Sequence, residues 1–265
     1  MYNAFEIGLK YLKYYWQSSN GKGHGIHSPF IYRFVREVLS NKDRDHSGED
    51  IERLRASLKK DSTRITIEDF GAGSAVSASR ERSIGQIARS AAKPRKYGQL
   101  LYRIVRFNKP AILLELGTSL GISTAYLALG NPEGSVTTLE GATELARRAR
   151  SNLDSLGITN VEIVEGNFDK TLLSVLETMP QVDLAFIDGN HRQEPTLRYF
   201  QLLLFKTHED SVLVFDDIHW SSEMERAWSY IKDHPRVTCT VDLFFVGLVF
   251  FRKEFKEKQH FTIRY

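Results

Sequence analysis

From residue 111 onward the chain alternates between two kinds of segment, and this alternation constrains the fold more than any other feature. AILLEL (111–116), SVTTLE (135–140), VEIVEG (161–166), VDLAFIDG (182–189) and SVLVFDD (211–217) are short apolar runs. Each precedes a helical pattern: ISTAYLALG, then ATELARRARSNLDSLG closed by Gly157, KTLLSVLETM, EPTLRYFQLLLF and SEMERAWSYIKDH. Near-continuous apolar strands separated by helices predict a parallel sheet covered on both faces, an α/β fold. The last two runs, VTCTVDLFF and VGLVFFRK, have almost nothing between them. A parallel crossover needs about a dozen residues or more, so these two should form an antiparallel hairpin, with one strand inserted in the sheet.

The first 110 residues lack this rhythm. Phe5, Leu9, Leu12 and Trp16 fall at helical spacing, and Ser28 with Pro29 reads as an N-cap and first-turn proline for FIYRFVREVL. IERLRASLKK, SIGQIARSAA and YGQLLYRIVRF read as further helices, and RITIEDF as a short strand. The expected organisation is a helical N-terminal extension or lid over 1–95 and an α/β domain over 96–265. Residues 1–110 hold 21 Lys+Arg against 11 Asp+Glu, a balance of +10, while 111–265 hold 15 against 22, a balance of −7. A basic half can steer an anionic substrate, nucleic acid or a membrane face. Its basic residues are scattered, which favours a solvated surface or one that docks on the acidic half. Tyr14, Tyr15 and Trp16 could stack on an aromatic substrate, but core or subunit contact is the commoner use of such residues.

No apolar run reaches the roughly 18–20 residues that span a bilayer, and the N-terminus does not read as a signal peptide. Cys239 is the one cysteine, so no internal disulfide forms. A reducing, cytoplasmic setting is the expectation, with Cys239 a buried, inert thiol in its apolar run.

Two stretches compete for a nucleotide site: TIEDFGAGSAVS (66–77) and AILLELGTSLGIST (111–124). Such a site needs a glycine turn, a helix N-terminus, and an acid at the tip of the next strand to take the ribose hydroxyls. After Gly71 this fails, because no Asp or Glu stands between Glu81 and Glu115. After Gly117 everything is present: Gly121, the helix from Ile122, the strand 135–139, and Glu140, 23 residues past Gly117. A dinucleotide would want Gly-x-Gly-x-x-Gly. Here Leu120 fills a place that close phosphate approach needs, and Glu115 would repel a phosphate but suit an ammonium group. A cofactor with an amino-acid end and a ribose fits better than NAD.

LLELGTSLGIST, TTLE, VEGNF, LAFIDGNH and VLVFDDI together resemble the class I S-adenosylmethionine-dependent methyltransferases, nearest in pattern to the catechol-type O-methyltransferases. The resemblance runs from about residue 96 to 251. It implies a seven-stranded, mostly parallel, Rossmann-like sheet ending in the reversed hairpin. It also implies that Glu115, Gly117, Thr118, Ser119, Gly121 and Ser123 line the methionine and ribose portion. Glu140 would hold the ribose hydroxyls, with Gly141, Gly166, Asn167 and Phe168 around the adenine and Asp188 nearby. Asn167 departs from the Asp of many relatives. YGQLL (97–101) resembles the segment that approaches the cofactor's carboxylate.

In the metal-dependent members, acids at the fourth and fifth strand tips bind a divalent cation. The resemblance places Asp188, Asp216 and Asp217 there, with Mg²⁺ or another divalent cation as the candidate ion. His191 stands where those relatives carry a general base, often a lysine. It could take the proton or itself ligate Zn²⁺ or Mn²⁺. His219 is a weaker candidate, and a metal pair of His24 and His27 weaker still. The function these residues imply is O-methylation of a small molecule with cation assistance, with Asp188 and His191 catalytic. Rival readings are metal-independent N- or O-methylation of a macromolecule, a nucleic-acid-associated protein using the basic half, and a non-catalytic cofactor sensor. No membrane partner is expected, and a homo-oligomer is compatible with the sequence.

Overall fold

The computed structural model describes residues 1–19, 28–41, 48–69, 78–90 and 93–265. In chain order its helices are α1 (Ala4–Gln17), α2 (Pro29–Phe34, continued by a π-helical turn Val35–Leu39), α3 (Glu49–Leu58), α4 (Ile84–Ser90), α5 (Arg95–Asn108), α6 (Ile122–Gly130), α7 (Thr143–Ser155), α8 (Phe168–Thr178), α9 (Gln193–Leu204) and α10 (Ser222–Asp233). Its strands are β1 (Arg64–Asp69), β2 (Ala78–Ser83), β3 (Ile112–Leu116), β4 (Ser135–Glu140), β5 (Val161–Glu165), β6 (Leu184–Ile187), β7 (Val212–Asp216), β8 (Cys239–Asp242), β9 (Val246–Phe250) and β10 (Gln259–Thr262). Packing divides the chain into two units, Lys42–Val175 and Met1–Asn41 with Leu176–Tyr265.

In the 42–175 unit, β3 pairs parallel with β4 and β4 with β5. Leu113, Leu114, Leu116, Val136 and Leu139 are buried, as strands covered on both faces must be. Gly157 lies just past α7 with φ +69°, the left-handed stop that its sequence position suggested. α5 lies close on α6: a Cβ at Gly98 would sit 2.3 Å from the Tyr126 ring, so only glycine permits the approach. The Tyr126 hydroxyl donates to Glu52 of α3 at 2.8 Å, tying a third helix to the same pair.

In the other unit, β6 and β7 are parallel, and β9 runs antiparallel to both β7 and β8. β9 is therefore the inserted strand of the expected hairpin. β10 adds parallel to β8, so the strands of the main sheet number eight, not seven. The β10 sequence, QHFT, is too short and too mixed to announce it. Gly247 lets Trp228 pack on β9, since a Cβ there would meet the indole at 2.7 Å. Ser28 accepts from the Ile31 amide and Pro29 opens α2, as their order suggested. Phe30 and Phe34 then pack edge-on against Phe250, with centroids 5.2 and 5.6 Å away.

One further expectation needs correction. The first 95 residues are not purely helical, because β1 and β2 pair antiparallel. Ala78–Ser83 is polar and lacks alternation, so nothing local marked it as a strand. After residue 77 the chain enters β2, where a strand–turn–helix unit would begin a helix. Phe5, Leu9, Leu12 and Trp16 form one face of α1, as their helical spacing predicted, and that face is exposed. Residues 70–74 of the DFGAGS stretch, and His24 and His27, lie outside the described residues.

Candidate active site

The C-terminal ends of β3, β4 and β5 form the first cluster. After Leu116 the chain passes through Gly117 (φ +109°), Ser119 (φ +49°) and Gly121 (φ +79°) before α6 begins. Three left-handed residues within five bend the loop sharply; glycine adopts that region freely, whereas Ser119 is strained there. The amides of Gly117 and Thr118 donate to the Leu139 carbonyl at 3.0 and 3.3 Å. The Ser119 amide donates to Glu140 Oε2 at 2.7 Å, and the Ala142 amide to Oε1 at 2.9 Å. Glu140, at the tip of β4, is thereby held against the glycine loop. Burial pushes its carboxyl up, and the amides of Ala142, Ser119 and Gly141 only partly offset this. A carboxylate offers about four acceptor positions, of which the Ser119 and Ala142 amides take two. Capacity remains for the paired hydroxyls of a ribose.

Glu115 is placed differently from a surface contact. It is fully buried, and its Oε2 accepts from the hydroxyls of Thr124 at 2.5 Å and Thr138 at 2.7 Å. Because Thr138 gives its one proton to Glu115, the 2.6 Å bond between Thr118 and Thr138 has Thr118 as donor. Thr118 and Glu115 are thus links in an internal hydroxyl chain joining the loop, β3, β4 and α6. Ser123 stands half-buried on the first turn of α6.

Gly166 (φ +135°) follows β5, and its amide donates to the Glu140 carbonyl at 2.8 Å. Asn167 accepts from the Asp169 amide at 2.9 Å and starts α8, so part of its polarity serves the turn. Gly141 and Phe168 are half-buried.

The second cluster belongs to the other unit. Asp188 follows β6, and Asp216 ends β7 almost fully buried. With His191 they offer ligand atoms that all lie within 4.8 Å of one another. His191 Nε2 is 3.5 Å from Asp188 Oδ1. A cation with bonds of about 2.0–2.2 Å to each would need only small side-chain adjustments. Asp217 is not part of this gathering: it adopts φ +52° and its amide donates to the Phe245 carbonyl at 2.6 Å. Two carboxylates and an imidazole form a mixed O/N donor set, which suits Mn²⁺ or Zn²⁺ better than Mg²⁺.

Residues 114–218 match the family described as "Methyltransferase domain". A Rattus norvegicus protein called transmembrane O-methyltransferase homolog is 33% identical over 111 residues, 40% of this chain and 42% of that protein. The chain spans between 28% and 54% of the length of the curated relatives it matches. Among solved structures, the Bacillus cereus O-methyltransferase in complex with SAH gives a TM-score of 0.56 at 21% identity, over 83% of this chain and 97% of that one. The SAH-bound Podospora anserina methyltransferase PaMTH1 gives 0.58 at 15% identity, over 96% and 98%. The fold is accordingly the Rossmann-like methyltransferase fold, and no helix among the described residues is long and apolar enough to cross a membrane.

Beyond these clusters, His219 has a setting that pattern reading did not reveal. His219 bonds to Asp242 through Nε2 at 2.8 Å and to Glu225 through Nδ1 at 3.2 Å. Glu225 also accepts from Lys10 at 2.9 Å and Tyr2 at 2.7 Å, which pins α1 to α10. Burial alone would lower the His219 pKa, but Asp242 and Glu225 outweigh it and the net shift is upward. His219 is therefore an ion-pair centre, a role visible only once residues 2, 10, 225 and 242 are brought together. Burial pushes the Cys239 thiol up, as expected of an inert cysteine.

Proposed function

We propose that the protein transfers a methyl group from S-adenosylmethionine to an oxygen of a small molecule, with a divalent cation held by Asp188, His191 and Asp216. The observation that carries this reading is Glu140, a buried carboxylate fixed between the glycine loop and the Ala142 amide. In that position it would hold the two ribose hydroxyls. Gly117 and Gly121 would let the backbone approach the ligand, and Gly166 with Asn167 and Phe168 would flank the adenine. The cofactor supplies an activated sulfonium methyl, and the cation supplies charge that favours an acceptor oxygen as its anion.

The chain's own tasks are then few. Asp188 and Asp216 would balance the cation's charge. His191 Nε2, oriented by Asp188, would either complete the ligand set or receive the acceptor's proton. The 3.5 Å spacing to Asp188 supports both roles, and a metal-free reading keeps only the second.

Methyl transfer to a panel of catechols and other small hydroxyl compounds, run with Mn²⁺, Mg²⁺ and chelator, tests the proposal. The expected result is activity lost in chelator and restored better by Mn²⁺ than by Mg²⁺, with Asp216→Asn lowering it at least about 100-fold. Activity unchanged by chelator would remove the cation and leave His191 as a base oriented by Asp188.

A further inference from the structure

α1 has two apolar faces, and the fold uses one. Tyr14 is buried, and Tyr11 packs on Phe244 and Phe245 with centroids 5.1 and 6.1 Å away. The opposite face carries Phe5, Leu9, Leu12 and Trp16, exposed by 74%, 52%, 57% and 83%. At about 100° per residue these four fall within an arc of about 60°, directly away from Ile7, Tyr11 and Tyr14. Monomers seldom leave so continuous an apolar strip in water.

The spacing of the strip identifies what covers it. The steps 5–9–12–16 read the same from either end. They are the 4-3-4 steps of a two-layer coiled-coil seam. Two copies of α1 laid antiparallel about a two-fold axis bring Phe5 against the second copy's Trp16 and Leu9 against its Leu12. On one flank of the strip stand Glu6 and Lys13, both exposed. The same two-fold brings Glu6 of each helix beside Lys13 of the other, whereas a parallel pairing sets the Glu6–Lys13 flank against the Gly8 flank and forms neither ion pair. On the other flank is Gly8, whose missing Cβ would meet nothing within 4 Å, so a facing helix can come close. With Met1 and Tyr15 alongside, the exposed apolar surface is on the order of 800 Å², the share that each partner contributes to a stable interface. A membrane surface fits less well. It favours a helix rich in Lys and Arg on its polar side, and α1 has only Lys13 and Lys10, the latter engaged by Glu225.

We propose that the outward face of α1 is a two-fold interface between two copies of this chain, with Phe5 packed on Trp16 and Leu9 on Leu12. Sedimentation equilibrium should give a dimer whose Kd rises more than about tenfold in Leu9→Glu/Leu12→Glu. The melting temperature extrapolated to low concentration should fall far less than the dimer affinity, because both leucines are more than half exposed, at 52% and 57%. Under mild oxidation, a mixture of Leu9→Cys and Leu12→Cys proteins should cross-link far more than either alone; the native Cys239 is buried and does not compete. A wild-type protein that is monomeric at every concentration overturns the proposal, as does a dimer indifferent to Leu9→Glu/Leu12→Glu. Cross-linking of Leu9→Cys alone that matches the mixture overturns the antiparallel register. Co-sedimentation of a monomeric wild type with phosphatidylserine vesicles would assign the face to a membrane instead.

Discussion

Glu140 and His219 show opposite fates for a residue read from sequence alone. The position of Glu140 was legible because it needs only a local pattern: a glycine turn, a helix, a strand and an acid at its tip. His219 read only as a weaker site candidate; its partners Glu225 and Asp242 lie 6 and 23 residues on, and Glu225 is in turn held by Tyr2 and Lys10, 223 and 215 residues before it. The protonation of His219 has a consequence for stability. A histidine whose pKa is raised in the folded state stabilises fully below its unfolded value near 6.5, and loses that contribution as pH rises through the folded value. His219→Gln is expected to lower stability by about 1.5–3 kcal/mol at pH 6. The difference should shrink as pH climbs past the folded value of His219, as read by urea denaturation across pH. Glu225, whose pKa is lowered by Lys10, Tyr2 and His219 against its burial, acts in the other direction. Its contribution is lost as pH falls through its folded value, so the α1–α10 link should be firmest between those two limits. Glu115 was legible as an acid near the loop but not as a buried one, because Thr124 and Thr138 give no sign in sequence of serving it. Thr138→Val is expected to cost about 1–3 kcal/mol by removing a donor from a buried carboxylate, measured by thermal unfolding.

Among the elements, those built on period and caps were the ones visible beforehand. α6, α7, α9 and α10 follow apolar spacing, and the β8–β9 hairpin follows from a connection too short for a crossover. β2 and β10 were invisible because neighbouring strands, not their own residues, create them. Gly98 was noticed within YGQLL for its resemblance to a cofactor-side segment, and its packing against Tyr126 is a separate demand. Gly98→Ala should force α5 and α6 apart and lower stability by about 1–3 kcal/mol. A circular-dichroism melt tests this, and a melt within error of wild type would contradict the close approach. Ser119 is the converse case. Ser119→Gly relieves a left-handed serine and is expected to raise stability by up to about 1 kcal/mol, while the Glu140–amide bond persists.

For the whole molecule, the alternating strands and helices made the α/β class legible, because covering a parallel sheet on both faces leaves few arrangements. The partition of the chain was less so. The 42–175 unit groups α3, β1, β2 and α4 with β3, β4 and β5, and the other unit gathers α1 and α2 with the C-terminal strands. Such grouping depends on pairings between distant segments that periodicity does not record. It also puts Glu140 in one unit and the Asp188–His191–Asp216 cluster in the other, so the two roles proposed for them fall in different units. Cofactor affinity should therefore respond to Glu140 and be nearly indifferent to Asp216. Calorimetric titration with S-adenosylhomocysteine tests this most directly. The account expects binding by the wild type, a loss of at least about tenfold in Glu140→Ala for the removed charged hydrogen bonds, and little change in Asp216→Asn. Undiminished binding in a folded Glu140→Ala protein would contradict it.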